Sequence, residues 1–232
     1  MKKLLAYFTA LEKGIWICSM IAIVVSFVIC GEVDIMVLSA CLMGATGLIF
    51  LAKGNPIGQI LTVTFSLAYG IVSLRCRYWG EMITYLGMSM PMAAMAAIAW
   101  YRNPFEKGKS EVKIRKLRAL DVALLALFAG VTTFVFYFIL RYFDTPSLAA
   151  STVSIATSFF AAGLTFLRSP YYALAYTAND LVLIYLWVSA SSSDKQFIPM
   201  ITCFMIFLVN DMYGFFSWRK MNRRQSRNDA AA

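Results

Sequence analysis

In RSPYYALAYTANDLVLIYLW, residues 168–187, a basic turn closed by proline leads into an apolar stretch with Asn179-Asp180 near its centre. About 20 predominantly apolar residues cross a bilayer as a helix, and this stretch runs on to residue 190. An aspartate in the middle of such a helix costs about 2.5–3.5 kcal/mol on insertion scales, so Asp180 should face the bundle interior or water rather than acyl chains. The segment thus predicts both a spanning helix and a polar interior for it to face.

Reading outward, a turn of the same kind recurs at Lys53-Gly54-Asn55-Pro56, matching Arg168-Ser169-Pro170. Each turn is followed by two apolar runs that end in tryptophan and a positive charge, Trp100-Tyr101-Arg102 and Trp218-Arg219. Pro56 to Trp100 is 44 positions and Pro170 to Trp218 is 48, the excess lying in the longer SSSDK loop. Apolar runs place spans at 14–30, 32–52, 55–75, 82–100, 119–143, 147–166, 170–190 and 196–217. Spans two to four and six to eight are two copies of one three-helix unit.

An odd number of helices per unit would leave adjacent copies antiparallel, and the fifth span restores a common direction. The expectation is an all-α membrane protein of about eight helices. Two parallel three-helix repeats are joined by a linker helix in the 3+1+3 arrangement of SWEET-type carriers, with one helix added at the N-terminus. The domain reading is an N-terminal helix over 1–31, a first repeat over 32–101, a basic cytoplasmic loop over 102–118, a linker helix over 119–143, a second repeat over 144–219 and a basic cytoplasmic tail over 220–232.

Composition agrees: 60% of the 232 residues are hydrophobic and only 14% charged, which leaves little room for a water-soluble domain. The net charge of +9 is no sign of nucleic-acid binding, because the cations flank apolar spans and are explained by topology and anionic lipid headgroups. With the N-terminus inside, inside segments hold Lys2, Lys3, Lys13, Lys53, the seven cations from Arg102 to Arg118, Arg168 and the five from Arg219 to Arg227. Only Arg75, Arg77, Arg141 and Lys195 fall outside, so both termini are predicted cytoplasmic in a multi-pass cell-membrane protein. The 102–118 loop reads as a solvated connector, and no cleaved signal peptide is expected.

The scattered Cys18, Cys30, Cys41, Cys76 and Cys203 imply neither a disulfide framework nor a metal site and read as packing residues. The absence of histidine removes imidazole chemistry, and no phosphate-binding glycine loop occurs, so neither an enzyme nor an ATP-driven pump is expected, nor any cofactor. Asp180 and Asp211, each preceded by asparagine, are read as the acidic residues within spans. Gln59, Thr62, Ser66, Tyr69 and Ser73 recur at spacings of 3 and 4 and so share one helix face. The seventh span offers Tyr172, Tyr176, Asn179, Asp180 and Trp187, and the eighth offers Asn210, Tyr213 and Ser217. Amides, hydroxyls and a carboxylate beside aromatic rings suit a flat, hydrogen-bonding solute with delocalised positive charge. The expected site is Gln59, Thr62, Ser66, Tyr69, Tyr176, Asn179, Asp180, Trp187, Asn210 and Tyr213. Tyr78, Trp79 and Trp218 read as interface anchors, and Gly44, Gly47, Ser151, Ser154 and Ser158 as packing residues.

YWGEMITYLGMSMPM (78–92), RSPYYALAYTANDLVLIYLW (168–187) and FLVNDMYGFFSWRKM (207–221) resemble the PnuC family of vitamin transporters, a likeness covering about residues 32–221. The resemblance implies a 3+1+3 fold, often a homotrimer, that carries nicotinamide riboside without direct energy coupling while a cytoplasmic kinase traps the solute. It implies that Asn179 and Gln59 bond ribose or amide groups, that Tyr69, Tyr176 and Trp187 stack or gate, and that Asp180 supplies charge or orients a partner. The chain departs from the family pattern at Tyr85, where asparagine is expected, at Ala96-Ala97, where Gly-Trp is expected, and at Tyr176, where tryptophan is common. Relatives carry thiamine, riboflavin or deoxynucleosides, which keeps those solutes open. A membrane sensor or assembly subunit docking through 102–118 is the reading from another class.

Overall fold

A computed structural model describes residues 7–31, 34–75, 79–191 and 197–231. Among the described residues, eight helices are long and apolar enough to cross a membrane. They are α1 (Ala10–Cys30), α2 (Ile35–Ala52), α3 (Pro56–Arg75), α4 (Trp79–Arg102), α5 (Ala119–Tyr142), α6 (Leu148–Phe166), α7 (Tyr172–Ser191) and α8 (Ile198–Ala231). Cys76, Arg77, Tyr78 and Lys195, together with Lys2 and Lys3, lie outside the described residues.

α1 and α4 begin earlier than the apolar runs, at Ala10 and Trp79, and capping turns open α1 and α5 with polar residues. Thr9 and Glu12 form a reciprocal capping box at the start of α1, and Asp121 accepts from the Arg118 amide at the start of α5. Glu12, Glu81, Asp121 and, near the end of α8, Asp229 lie inside the helices with Asp180 and Asp211, a correction to the expectation of two acidic residues. A carboxylate in a first helical turn faces unpaired amides and the positive end of the helix dipole, which offsets part of its cost.

The two proline turns match bond for bond. Gly54 and Arg168 both take the left-handed conformation, at φ 63° and 57°. Asn55 N donates to Phe50 O and Ser169 N to Leu164 O, each at 3.0 Å, while Gly54 N and Arg168 N reach back to Leu51 O and Thr165 O. Both are helix ends of the Schellman kind. The side chains of Asn55 and Ser169 then accept from the amides two residues on and open α3 and the chain into α7.

Packing closes a ring of six helices in the order α2, α3, α4, α6, α7, α8 and back to α2. α1 lies outside against α2 and α8, and α5 lies outside against α6. Two tryptophans bridge the junctions of the ring: Trp100 Nε1 donates to Thr165 O at 2.9 Å, and Trp218 Nε1 to Leu51 O at 2.8 Å. Their rings meet at 5.2 Å and Tyr172 packs against both. Trp218 is fully buried, so it is no interface anchor. An indole anchored at the lipid surface would keep its N–H toward water, whereas this one satisfies a helix-terminal carbonyl across the bundle.

The 102–118 segment is mostly exposed, yet it is tied to the bundle. Val112 is fully buried and donates to Gly54 O, and Arg115 N donates to Arg168 O, so one irregular stretch ties both proline turns at the same end of the molecule. Arg168 is held below the ordinary guanidinium pKa, first by burial and then by the charge of Arg115. Residues 220–231 do not form a separate tail. α8 continues through them, and its Gln225 is bonded to Glu111, Val112 and Ile114 while Arg224 pairs with Glu111.

Candidate functional site

The polar face of α3 points inward. Gln59, Ser66, Tyr69 and Ser73 are buried, whereas Ile57, Ile60, Leu67, Ile71 and Leu74 on the opposite face are exposed. Thr62 is half-buried and donates to Gly58 O of its own helix at 3.0 Å, a local bond that leaves it less free for a ligand. Across the ring of helices, α7 places Asn179 and Asp180 at 5% and 3% exposure, which removes the alternative that they face acyl chains.

Asn179 is the hub of a polar knot. Its Oδ1 accepts from Thr157 Oγ1 at 2.8 Å, Ser158 Oγ at 2.9 Å and Ser154 Oγ at 3.4 Å, leaving its Nδ2 donor without a partner among the described residues. Ser154 and Ser158, read from sequence as packing residues, thus position the amide together with Thr157. Their i, i+3, i+4 spacing was the available signal, since it places all three on one face of α6.

Beside this knot the rings of Phe65 and Tyr69 from α3, Tyr85 from α4, Trp187 from α7 and Phe207 from α8 form one cluster. Tyr69 lies 4.4 Å from Tyr85 and 6.5 Å, edge to face, from Trp187. Tyr176 is half-buried one turn before Asp180 and packs toward Tyr172 rather than into this cluster. Close approach of the helices lets the cluster form: a Cβ on Gly44 would come within 2.5 Å of Phe207.

Tyr85 opens a π-turn, Tyr85–Ser89, inside α4, with Met90 N bonded to Tyr85 O. Pro91 has no N–H to offer and its ring crowds the carbonyl four residues before it, so a widened turn at this point relieves the ladder. Such turns recur at functional sites.

Four buried polar atoms on α3, α7 and α8 have no hydrogen-bond partner among the described residues: Gln59 Nε2, Ser66 Oγ, Asp180 Oδ2 and Asn210 Oδ1. Ser66 and Asp180 are 114 positions apart, the offset that also relates Gly54 to Arg168 and Leu51 to Thr165. Each such atom is expensive to leave unpaired, by about 1–3 kcal/mol.

The remaining two expected residues face elsewhere. Asn210 Nδ2 donates to Ser19 Oγ of α1 at 3.2 Å and to Ile206 O at 2.8 Å, and the Tyr213 hydroxyl donates to Glu12 at 3.0 Å. Glu12 also pairs with Lys53 at 3.0 Å. Both residues therefore hold α1 against the ring. Tyr213 lines a basic cavity of about 1600 Å³ between the start of α1, the 108–111 turn and the end of α8. A second, apolar groove of about 890 Å³ between α5, α6 and α7 contains none of the ten expected residues.

Among the described residues no cluster of His, Cys, Asp or Glu could hold a metal ion. The sequence model of the nicotinamide mononucleotide transporter family matches residues 34–220, which leaves α1 outside it. The nicotinamide riboside transporter PnuC of Neisseria mucosa is 24% identical over 191 residues, covering 81% of this chain and 73% of that protein. A crystal structure of the vitamin B3 transporter PnuC has the same fold, with a TM-score of 0.80 at 21% identity over 94% of each chain.

Proposed function

Since this chain belongs to the nicotinamide mononucleotide transporter family, a family of multi-pass membrane transporters and not of enzymes, we propose that it carries nicotinamide riboside into the cell by facilitated diffusion. The observation that carries the proposal is the set of buried atoms without a partner among the described residues, Gln59 Nε2, Ser66 Oγ and Asp180 Oδ2, on the same inward-facing helices α3 and α7 that carry the Tyr69 and Trp187 rings. A ribosyl pyridinium brings hydroxyls and a carboxamide for the polar atoms and a cationic ring for the aromatic ones. Asn179 and Gln59 bond ribose or amide groups, Tyr69, Tyr176 and Trp187 stack or gate, and Asp180 supplies negative charge. Thr62, Asn210 and Tyr213 act by holding α3, α8 and α1 in place.

The framework for this site is a 3+1+3 bundle. α2 to α4 and α6 to α8 are parallel repeats, and α5 is the linker. Three sets of paired bonds support it: the two proline turns, the two tryptophan bridges, and the connector stretch bonded to Gly54 O and Arg168 O. Each partner in the second unit lies 114 positions after its counterpart, except at the tryptophans, where the longer loop adds four. A site between such repeats lies near the bilayer midplane. The protein works as a homotrimer in the cell membrane with both termini cytoplasmic, and a cytoplasmic kinase traps the solute.

Calorimetric titration of the purified protein against nicotinamide riboside, thiamine, riboflavin and a deoxynucleoside tests the proposal. Tightest binding of nicotinamide riboside is expected. A clear preference for another member of the panel would reassign the solute, and binding of none would refute the carrier reading.

A further inference from the structure

Glu81 and Tyr85 lie one turn apart on the same face of α4, where the sequence pattern assigned neither a ligand. Glu81 is half-buried inside a helix that spans the membrane and makes no hydrogen bond or ion pair among the described residues. Ionisable side chains at such positions are costly and mark solute or ion paths. It stands within electrostatic reach of both the Tyr69 and Tyr85 hydroxyls. Tyr85, at the head of the π-turn, packs on Tyr69 at 4.4 Å and on Phe65 at 5.9 Å, and lies within electrostatic reach of Asp180 on α7. Glu81 thus stands one helical turn from a ring of the aromatic cluster, while Asp180 Oδ2 on α7 is buried with no hydrogen-bond partner among the described residues.

We propose that Glu81 and Tyr85 form the charge-selecting wall of the solute site, Tyr85 offering a π face and Glu81 a carboxylate to a positively charged heteroaromatic ring. The inference deepens the proposed function and rests on it. Electron-rich ring faces and a carboxylate attract a cation and are indifferent or unfavourable to a neutral ring of the same outline. The wall thus makes the carrier discriminate charge rather than shape, which a purely apolar pocket does poorly.

The test uses two probes of nearly equal shape, nicotinamide riboside, which is cationic, and its reduced dihydropyridine form, which is neutral. Titrated calorimetrically against the full chain, wild type should prefer the cation by roughly tenfold or more. Glu81→Gln, which keeps the side-chain outline, should weaken the cation by about tenfold and leave the neutral form within about twofold. Tyr85→Phe should keep both affinities, and Tyr85→Leu should weaken the cation more than the neutral form. Unfolding temperature is read for each variant. Equal loss of both probes in Glu81→Gln, as expected if Glu81 instead answered Arg75 or Arg77, overturns the inference, and so does no loss at all. Wild type that binds neither probe refutes the proposed solute, and the charge-selecting role falls with it.

Discussion

Replacing Asn179 by alanine separates the site from the scaffold that holds it. The amide oxygen accepts from three hydroxyls of α6, at 2.8, 2.9 and 3.4 Å. Interhelical hydrogen bonds in membranes average about 0.6 kcal/mol, so removing all three costs at most about 2 kcal/mol. Thr157 also donates to Val153 O and Ser154 O, which leaves the loss mainly on Ser154 and Ser158. The expected destabilisation is about 1 kcal/mol, or roughly 2–4 °C for a chain of this size. Affinity should suffer more. If the free Nδ2 donor and its partner on the solute are both left unpaired, about 1.5–3 kcal/mol is lost and Kd rises roughly 10- to 100-fold. Calorimetry and thermal unfolding of the same detergent-purified sample give both numbers. Wild-type affinity in a folded Asn179→Ala protein would refute the reasoning, because it would place the solute somewhere other than beside α7.

Asp180→Asn keeps the hydrogen-bonding outline and removes the charge, so affinity for a cationic solute should fall while a neutral one is spared, as read by the same titration. Trp100→Phe and Trp218→Phe each remove one of two bonds to a helix-terminal carbonyl, Thr165 O or Leu51 O, which keeps its bond from Arg168 N or Gly54 N, and should destabilise by similar amounts of about 0.5–1.5 kcal/mol in thermal unfolding; grossly unequal losses would argue against equivalent repeats. A Cβ on Gly58 would lie 2.7 Å from the Leu51 backbone nitrogen, whereas one on Gly130 would meet nothing within 4 Å. Gly58→Ala should therefore cost about 1–3 kcal/mol and Gly130→Ala nothing or a small gain, both measured by unfolding temperature. Glu12→Gln and Lys53→Met each strand a poorly exposed partner, so the double variant should be more stable than the two single losses predict, a non-additivity read from a double-mutant cycle.

The parts of the fold that periodicity governs were legible in the sequence. Apolar run length gave eight spans, and the i, i+3, i+4 spacing of Gln59, Ser66, Tyr69 and Ser73 gave the inward face of α3. Asn179 and Asp180 were found because an intramembrane carboxylate is costly wherever it faces lipid. What was not legible depends on which neighbour a side chain meets. Asn210 and Tyr213 share the polar character of the other site residues, yet they answer Ser19 and Glu12 of α1, a helix that the repeat pattern does not locate. Trp218 sits at a span end, where an interface anchor and a buried bridge look alike in sequence. Glu81 was missed because the apolar window opened at residue 82, three residues after α4 begins. The π-turn at Tyr85 had a signal in Pro91, since proline inside a helical run must be absorbed somewhere before it. The docking of Val112 under Gly54 had none, because a single apolar residue in a basic segment does not declare its partner.

The account stands on passage of a cationic ribosyl pyridine through the bundle, and uptake of isotopically labelled nicotinamide riboside into proteoliposomes measures that directly. Saturable entry of chemically unchanged solute is predicted, levelling when inside and outside concentrations are equal and slowed at low solute concentration in Asn179→Ala. Entry no faster than in protein-free vesicles, or accumulation above the external concentration with no kinase present, would contradict it.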